Sequence, residues 1–161
     1  MKKTIVVAIF ITAIMATVAI PSFAADVGYN ATVAGGQNTF VVATNGNFGT
    51  ILVGQSKIIN NSVTLNNTGD VNATVDARFN DGIGGVYGLV SGSNVLPAGN
   101  FSLGNAPITW TALDNNGNDT RVAIAPGYGT ITILDAKLDV PSTQPGGAYN
   151  GTVVLTFGNQ V

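Results

Sequence analysis

The chain has 161 residues, 45% of them hydrophobic and 9% charged, with 21 glycines, a formal net charge of −2, and neither cysteine nor histidine. All eight acids are Asp, so soft metal sites, Ser-His and Cys-His nucleophile pairs and a Glu acid or base are excluded together. Catalysis, a cofactor and a metal centre are therefore not expected.

Residues 1–24 read as a targeting segment. Lys2-Lys3 give a positive start, Thr4 to Ile20 an apolar run, and Pro21-Ser22-Phe23-Ala24 a break ending in a small-x-small site, with cleavage expected after Ala24. An uncleaved anchor is the alternative, although the run is near the lower end of spanning length. Without Lys2 and Lys3, four basic residues face eight Asp, a net charge of −4. With no basic cluster, nucleic acid is not an expected partner. After cleavage the protein is not expected to be integral to a membrane.

The next segment, residues 25–36, alternates Val27, Tyr29, Ala31 and Val33 with Asp26, Gly28, Asn30 and Thr32, then breaks at Gly35-Gly36. That is an amphipathic strand on a hinge, detached from a domain spanning 37–161. Thr39 to Thr44 and Phe48 to Val53 read as a hairpin about Asn45-Gly46-Asn47. Asn61 to Asn80 reads as a second: Val63 and Leu65 precede Thr68-Gly69-Asp70, and Val71, Ala73, Val75, Ala77 and Phe79 follow with period two. Residues 80–107, interrupted by Gly, Ser, Asn and Pro, read as loops with one or two short edge strands and as a candidate binding surface.

Strand character returns at Ile108 to Leu113, where Trp110 is expected to anchor the core, and at Arg121 to Ala125 with Val122 and Ile124 inward. In Tyr128 to Val140, Ile131 and Ile133 fall on one parity and Leu134, Ala136, Leu138 and Val140 on the other, which predicts a β-bulge near Ile133-Leu134. Tyr149, Gly151, Val153, Leu155 and Phe157 form an alternating last strand. Nine or ten strands without a helical period give an all-β fold, a two-sheet antiparallel immunoglobulin-like sandwich with a protruding N-terminal strand, or its jelly-roll variant.

Among residues with chemical potential, Asn-x-Ser/Thr occurs at Asn30, Asn60, Asn66, Asn72, Asn100, Asn118 and Asn150. Composition alone would give about three such sites, which points to N-glycosylation, against the plainer reading that Asn and Thr simply decorate polar strand faces. Asp114 to Asp119 resembles the start of a calcium loop, but position six is Asp119 rather than Gly and no Glu exists for the twelfth, so a turn is the better reading. Lys57 and Lys137 are the candidates for side-chain amide crosslinks, with an Asp as catalyst.

The ending Pro145-Gly-Gly-Ala-Tyr-Asn-Gly-Thr-Val-Val-Leu-Thr-Phe157 and the segment Val63 to Phe79 resemble parts of secreted immunoglobulin-like filament subunits. The layout as a whole is similar to the TasA-like bacterial fibre proteins and the archaeal bundling pili. That resemblance implies donor-strand polymerisation, in which the N-terminal strand of one subunit completes the sheet of its neighbour, with Val27, Tyr29, Ala31 and Val33 as the inserted side chains. It implies a homopolymer in an extracellular, cell-surface filament, and the sequon density leans toward an archaeal glycoprotein. The competing expectation is a monomeric cell-surface adhesion module that binds a glycan or protein through Asp81 to Asn105.

Overall fold

A computed structural model of the chain describes residues 5–12, 22–29, 40–44, 46–69, 71–105, 109–127 and 129–159. Its strands, in chain order, are β1 (Ile5–Thr12), β2 (Ser22–Tyr29), β3 (Phe40–Thr44), β4 (Gly49–Leu52), β5 (Ser56–Asn67), β6 (Ala73–Phe79), β7 (Gly82–Ile83), β8 (Val86–Ser91), β9 (Asn94–Pro97), β10 (Phe101–Asn105), β11 (Thr109–Ala112), β12 (Thr120–Ala125), β13 (Thr130–Asp139), β14 (Gly147–Ala148) and β15 (Gly151–Asn159). The fold is all-β, an antiparallel sandwich. One sheet runs β12-β6-β15-β1-β2-β14 with β4 also on β2, the other β11-β10-β13-β5-β3, and β7-β8-β9 form a small third sheet.

The core follows the alternation that the sequence carries. In β6, Ala73, Val75, Ala77 and Phe79 are buried while the residues between them are half-exposed. Val153, Leu155 and Phe157 of β15 line the same layer, and Val63, Leu65, Leu134, Ala136, Leu138, Phe101 and Leu103 come from the facing sheet. The two layers interlock at Phe79 and Phe101, whose rings meet edge to face at 5.3 Å, and Phe48 closes on Phe101 at 6.1 Å.

Two expected hairpins are absent. β5 pairs with β13 and β3, whereas β6 pairs with β12 and β15, so Thr68 and Gly69 lie in an arch that carries the chain from one sheet to the other. The stretch after β3 does the same: β3 pairs with β5, and β4 with β2. The physical cause at the first arch is Asn67, which is fully buried. Its side-chain amide donates to the Val71 carbonyl (2.9 Å) and the Ala125 carbonyl (3.0 Å), and its carbonyl oxygen accepts from Gly69 N (3.1 Å). A tight hairpin would have used those backbone groups in its own ladder; here an amide satisfies them.

Four further expectations are corrected. The register of β13 on β5 does shift between Leu134 and Ala136, but the extra residues are Asn60, Asn61 and Ser62 on β5, opposite Asp135 alone. Asn61 takes φ +54 there and its N–H bonds Asp135 Oδ1 at 2.8 Å. β13 itself keeps one parity throughout, leaving Ile131 and Ile133 exposed. In β12 a bulge at Val122 reverses the parity, so Ala125 is buried and Ile124 is exposed. Trp110 is half-buried outside the core, paired with Gly104 on the edge strand β11, and Leu113 enters the core instead. The region 80–107 is also more regular than expected, since β10 is a strand between β11 and β13 and Leu89, Leu96 and Ala98 are buried.

Replacing Asn67 with Ala leaves two carbonyls and one N–H of the arch unpaired, and should destabilise by about 3 kcal/mol. Asn67→Asp, which keeps the shape but turns the donor into an acceptor facing two carbonyls, should be at least as costly. Denaturant midpoints with an unchanged slope measure both, and an Asp variant as stable as the parent would show that the amide does not hold the arch.

Candidate functional site: the β15 edge and the N-terminal strands

The described residues offer no cluster of three or more His, Cys, Asp or Glu able to hold a metal. Charged groups sit in ion pairs at the surface: Arg121 with Asp76, Arg78 Nε with Asp119 Oδ1 at 3.5 Å, and Lys137 Nζ with Asp139 Oδ2 at 2.8 Å. Lys57 is exposed and Lys137 is ion-paired at the surface, so neither has the buried setting in which an amide crosslink to an Asn or Asp would form. Asp114 accepts from Asn116 N and closes a turn with Gly117 N on its carbonyl oxygen (3.3 Å). The Asn116 N–H is the main reason its carboxyl is held below the ordinary range. Its hydrogen-bonding capacity is spent on its own turn.

The feature that stands apart is the edge of β15. On one side β15 runs antiparallel to β6 from Val153↔Phe79 to Asn159↔Ala73. On the other it pairs with β1 over seven positions, Ile5↔Phe157 to Ile11↔Gly151. Residues 151–155 are buried on both parities, Val154 included, so β15 is an interior strand. Its interior position depends on the first 12 residues.

β2 depends on the same segment. It pairs with β1 through Asp26 to Tyr29, with β4 through Ser22 to Ala25, and with β14 in parallel through Phe23 and Ala24. Of the residues expected to form a donor strand, Val27 and Tyr29 lie in β2, and Ala31 and Val33 lie outside the described residues. Of the sequons, Asn60, Asn72, Asn118 and Asn150 are exposed, Asn66 and Asn100 are half-buried, and Asn30 lies outside the described residues. Asn66 Oδ1 is buried without a hydrogen-bond partner, and Asn72 Oδ1 accepts from Gly127 N at 3.3 Å. No helix among the described residues is long and apolar enough to cross a membrane.

The entry to β15 is fixed by Tyr149. Its buried ring carries a hydroxyl that donates back to the Pro145 carbonyl (2.8 Å) and accepts from Gln144 Nε2 (2.8 Å), which also donates to the Val95 carbonyl (3.0 Å). A tyrosine bonded to backbone a few residues upstream is a corner device of immunoglobulin-like sandwiches. The backbone of the next residue bridges to Val90, N to O in both directions, at 2.6 and 2.9 Å. No protein-family model, curated protein or solved structure matches the chain.

Tyr149→Phe should cost about 1–2 kcal/mol by stranding the Pro145 carbonyl and a Gln144 donor. Burial pushes the phenol above its ordinary value of 10. Folding thus favours the protonated form, and its contribution is complete below pH 10 and lost as pH rises through the higher folded value. A stability–pH curve should bend downward above pH 10 in the parent and less so in the Phe variant; parallel curves would remove Tyr149 as the cause.

Proposed function

We propose that this protein is a structural subunit of an extracellular filament or sheath, polymerising by strand complementation through residues 25–34. One observation carries the reading: with the N-terminal strands set aside, the two layers do not match. β11, β10, β13, β5 and β3 make a five-strand layer about 24 Å wide, whereas the strands that face it without the help of β1 or β2 are β12, β6 and β15, about 14 Å. β4 and β14 join that sheet through β2 alone. If residues 1–24 are removed on export, the sheet is short by about two strands, and an unpaired edge is a template for a strand from another chain. The absence of His, Cys and Glu and the resemblance to secreted filament subunits support a structural role in place of catalysis.

A second reading, a monomeric surface adhesion module, draws on the β7–β8 hairpin, where Ile83 and Val86 are exposed on either side of Gly84-Gly85. Under either reading three of the four exposed sequons, Asn60, Asn118 and Asn150, are the proposed glycan acceptors; Asn72, whose Oδ1 accepts from Gly127 N, and Asn66, whose oxygen is buried, are not. Intact mass and peptide mapping of the exported protein should find hexose-bearing peptides at the first three; a bare polypeptide mass would end the glycan proposal.

Negative-stain electron microscopy of the exported protein, beside a version lacking residues 25–34, tests the function. Fibres that vanish on deletion while a folded monomer remains are the expected result. Monodisperse particles from the intact protein would move the role to the β7–β8 surface.

A further inference from the structure

We infer that the edge of β15 between Gly151 and Phe157 is the acceptor slot, that the leader strand β1 occupies it before cleavage, and that a second copy's residues 27–33 occupy it afterwards, antiparallel to β15. This rests on the filament reading above and specifies its partner, its edge and its trigger.

The register carries the argument. β1 covers seven positions of β15 with antiparallel pairing, so the slot has a defined length and direction. The core-facing positions of β15 there are Gly151, Val153, Leu155 and Phe157. The segment 27–33 also has seven residues and places Val27, Tyr29, Ala31 and Val33 at every second position. Running antiparallel with Val27 opposite Phe157, it sets Tyr29 opposite Leu155, Ala31 opposite Val153 and Val33 opposite Gly151. Gly28, Asn30 and Thr32 then fall opposite Thr156, Val154 and Thr152 on the outer face. A shift by one residue would send all four apolar side chains outward, so the alternation selects the register.

The same cut readies donor and acceptor together. Cleavage after Ala24 removes β1, and with it all seven pairs on the β15 edge. It also removes every partner that β1 gives to Asp26, Val27, Gly28 and Tyr29, and both residues of β2 that pair with β14. Of the pairs described for β2, only Ala25↔Gly49 survives. A backbone edge left without partners in the sandwich must find new ones, and the strand just released carries the matching pattern.

Because the chain has no cysteine, disulfide trapping is unambiguous. Two full-length chains, one with Ala31→Cys and the other with Val153→Cys, are expressed together in an exporting host, and the secreted polymer is run on a non-reducing denaturing gel. A reducible band at twice the single-chain mass is expected. Gly28→Cys with Thr156→Cys, an outer-face pair, repeats the test without altering the core. Ala31→Cys with Gly84→Cys, on the far β7–β8 turn, should give no such band. For the leader, Val7→Cys with Leu155→Cys should close an intrachain bond in unprocessed chain that is absent from the processed form. Polymer that crosslinks at neither β15 pair would overturn the slot while leaving the filament reading standing. A single chain carrying both Ala31→Cys and Val153→Cys that closes its bond within itself and gives no crosslink between chains would place residues 27–33 on their own β15 and overturn the intermolecular claim. An unsubstituted chain that forms no polymer would sink both, and an unprocessed chain with no Val7–Leu155 bond would remove the leader from the slot.

Discussion

The buried amide of Asn67 is the contact on which the layering depends. Its side chain bonds backbone at Val71, just before β6, and at Ala125, the last residue of β12, while its own carbonyl accepts from Gly129 N, just before β13. One residue thus fastens two crossings, β5 to β6 and β12 to β13, each of which carries the chain between the sheets. With no disulfide available, such crossings are held by hydrogen bonds and by the apolar faces they bring together. Val63 and Leu65 share one core with Val75 and Phe157 of the facing sheet because the chain does not fold straight back at Gly69.

The strands and their inward faces were legible because period-two alternation is a local property. β6 follows it residue for residue, and β15 keeps Val153, Leu155 and Phe157 on the core. Pairing was not legible, because Thr-Gly-Asp suits an arch as well as a hairpin. The available signal was Asn67 itself, which continues the parity of Val63 and Leu65 and so falls on the core face, where a polar side chain needs partners. Elsewhere apolar character misled. Ile131 and Ile133 suggest a phase change in the sequence but are outward residues, and the irregularity belongs to the facing strand at Asn61, one of the few residue types that accepts a left-handed backbone readily. Trp110 looked like a core anchor by size, but an edge strand beside Gly104 gives it only partial cover.

The candidate site divides in the same way. The amphipathic segment from Val27 to Val33 stands out in the sequence because it is short, alternating and bounded by two glycines. The edge of β15 does not, since a strand with one partner and a strand with two carry the same alternation on their core face. Its pairing with β6 on one side and β1 on the other marks β15 as interior, and the burial of Val154, on the opposite parity, agrees. The layer mismatch is likewise a property of the assembled sheets and of no single segment.

The order of these pairings along the chain bears on when the protein folds. β5 waits for β13, β6 waits for β12 and β15, and Ile5 at one end of the chain meets Phe157 near the other. Among the described strands of the two main sheets, β1–β2 and β10–β11 are the pairings between neighbours in sequence, and the others close long loops before contacts reward them, a topology that folds slowly. A chain with this wiring has little stable structure to form until its last strand is available. Closure of the core then waits on the arrival of β15, which brings Val153, Leu155 and Phe157 into it.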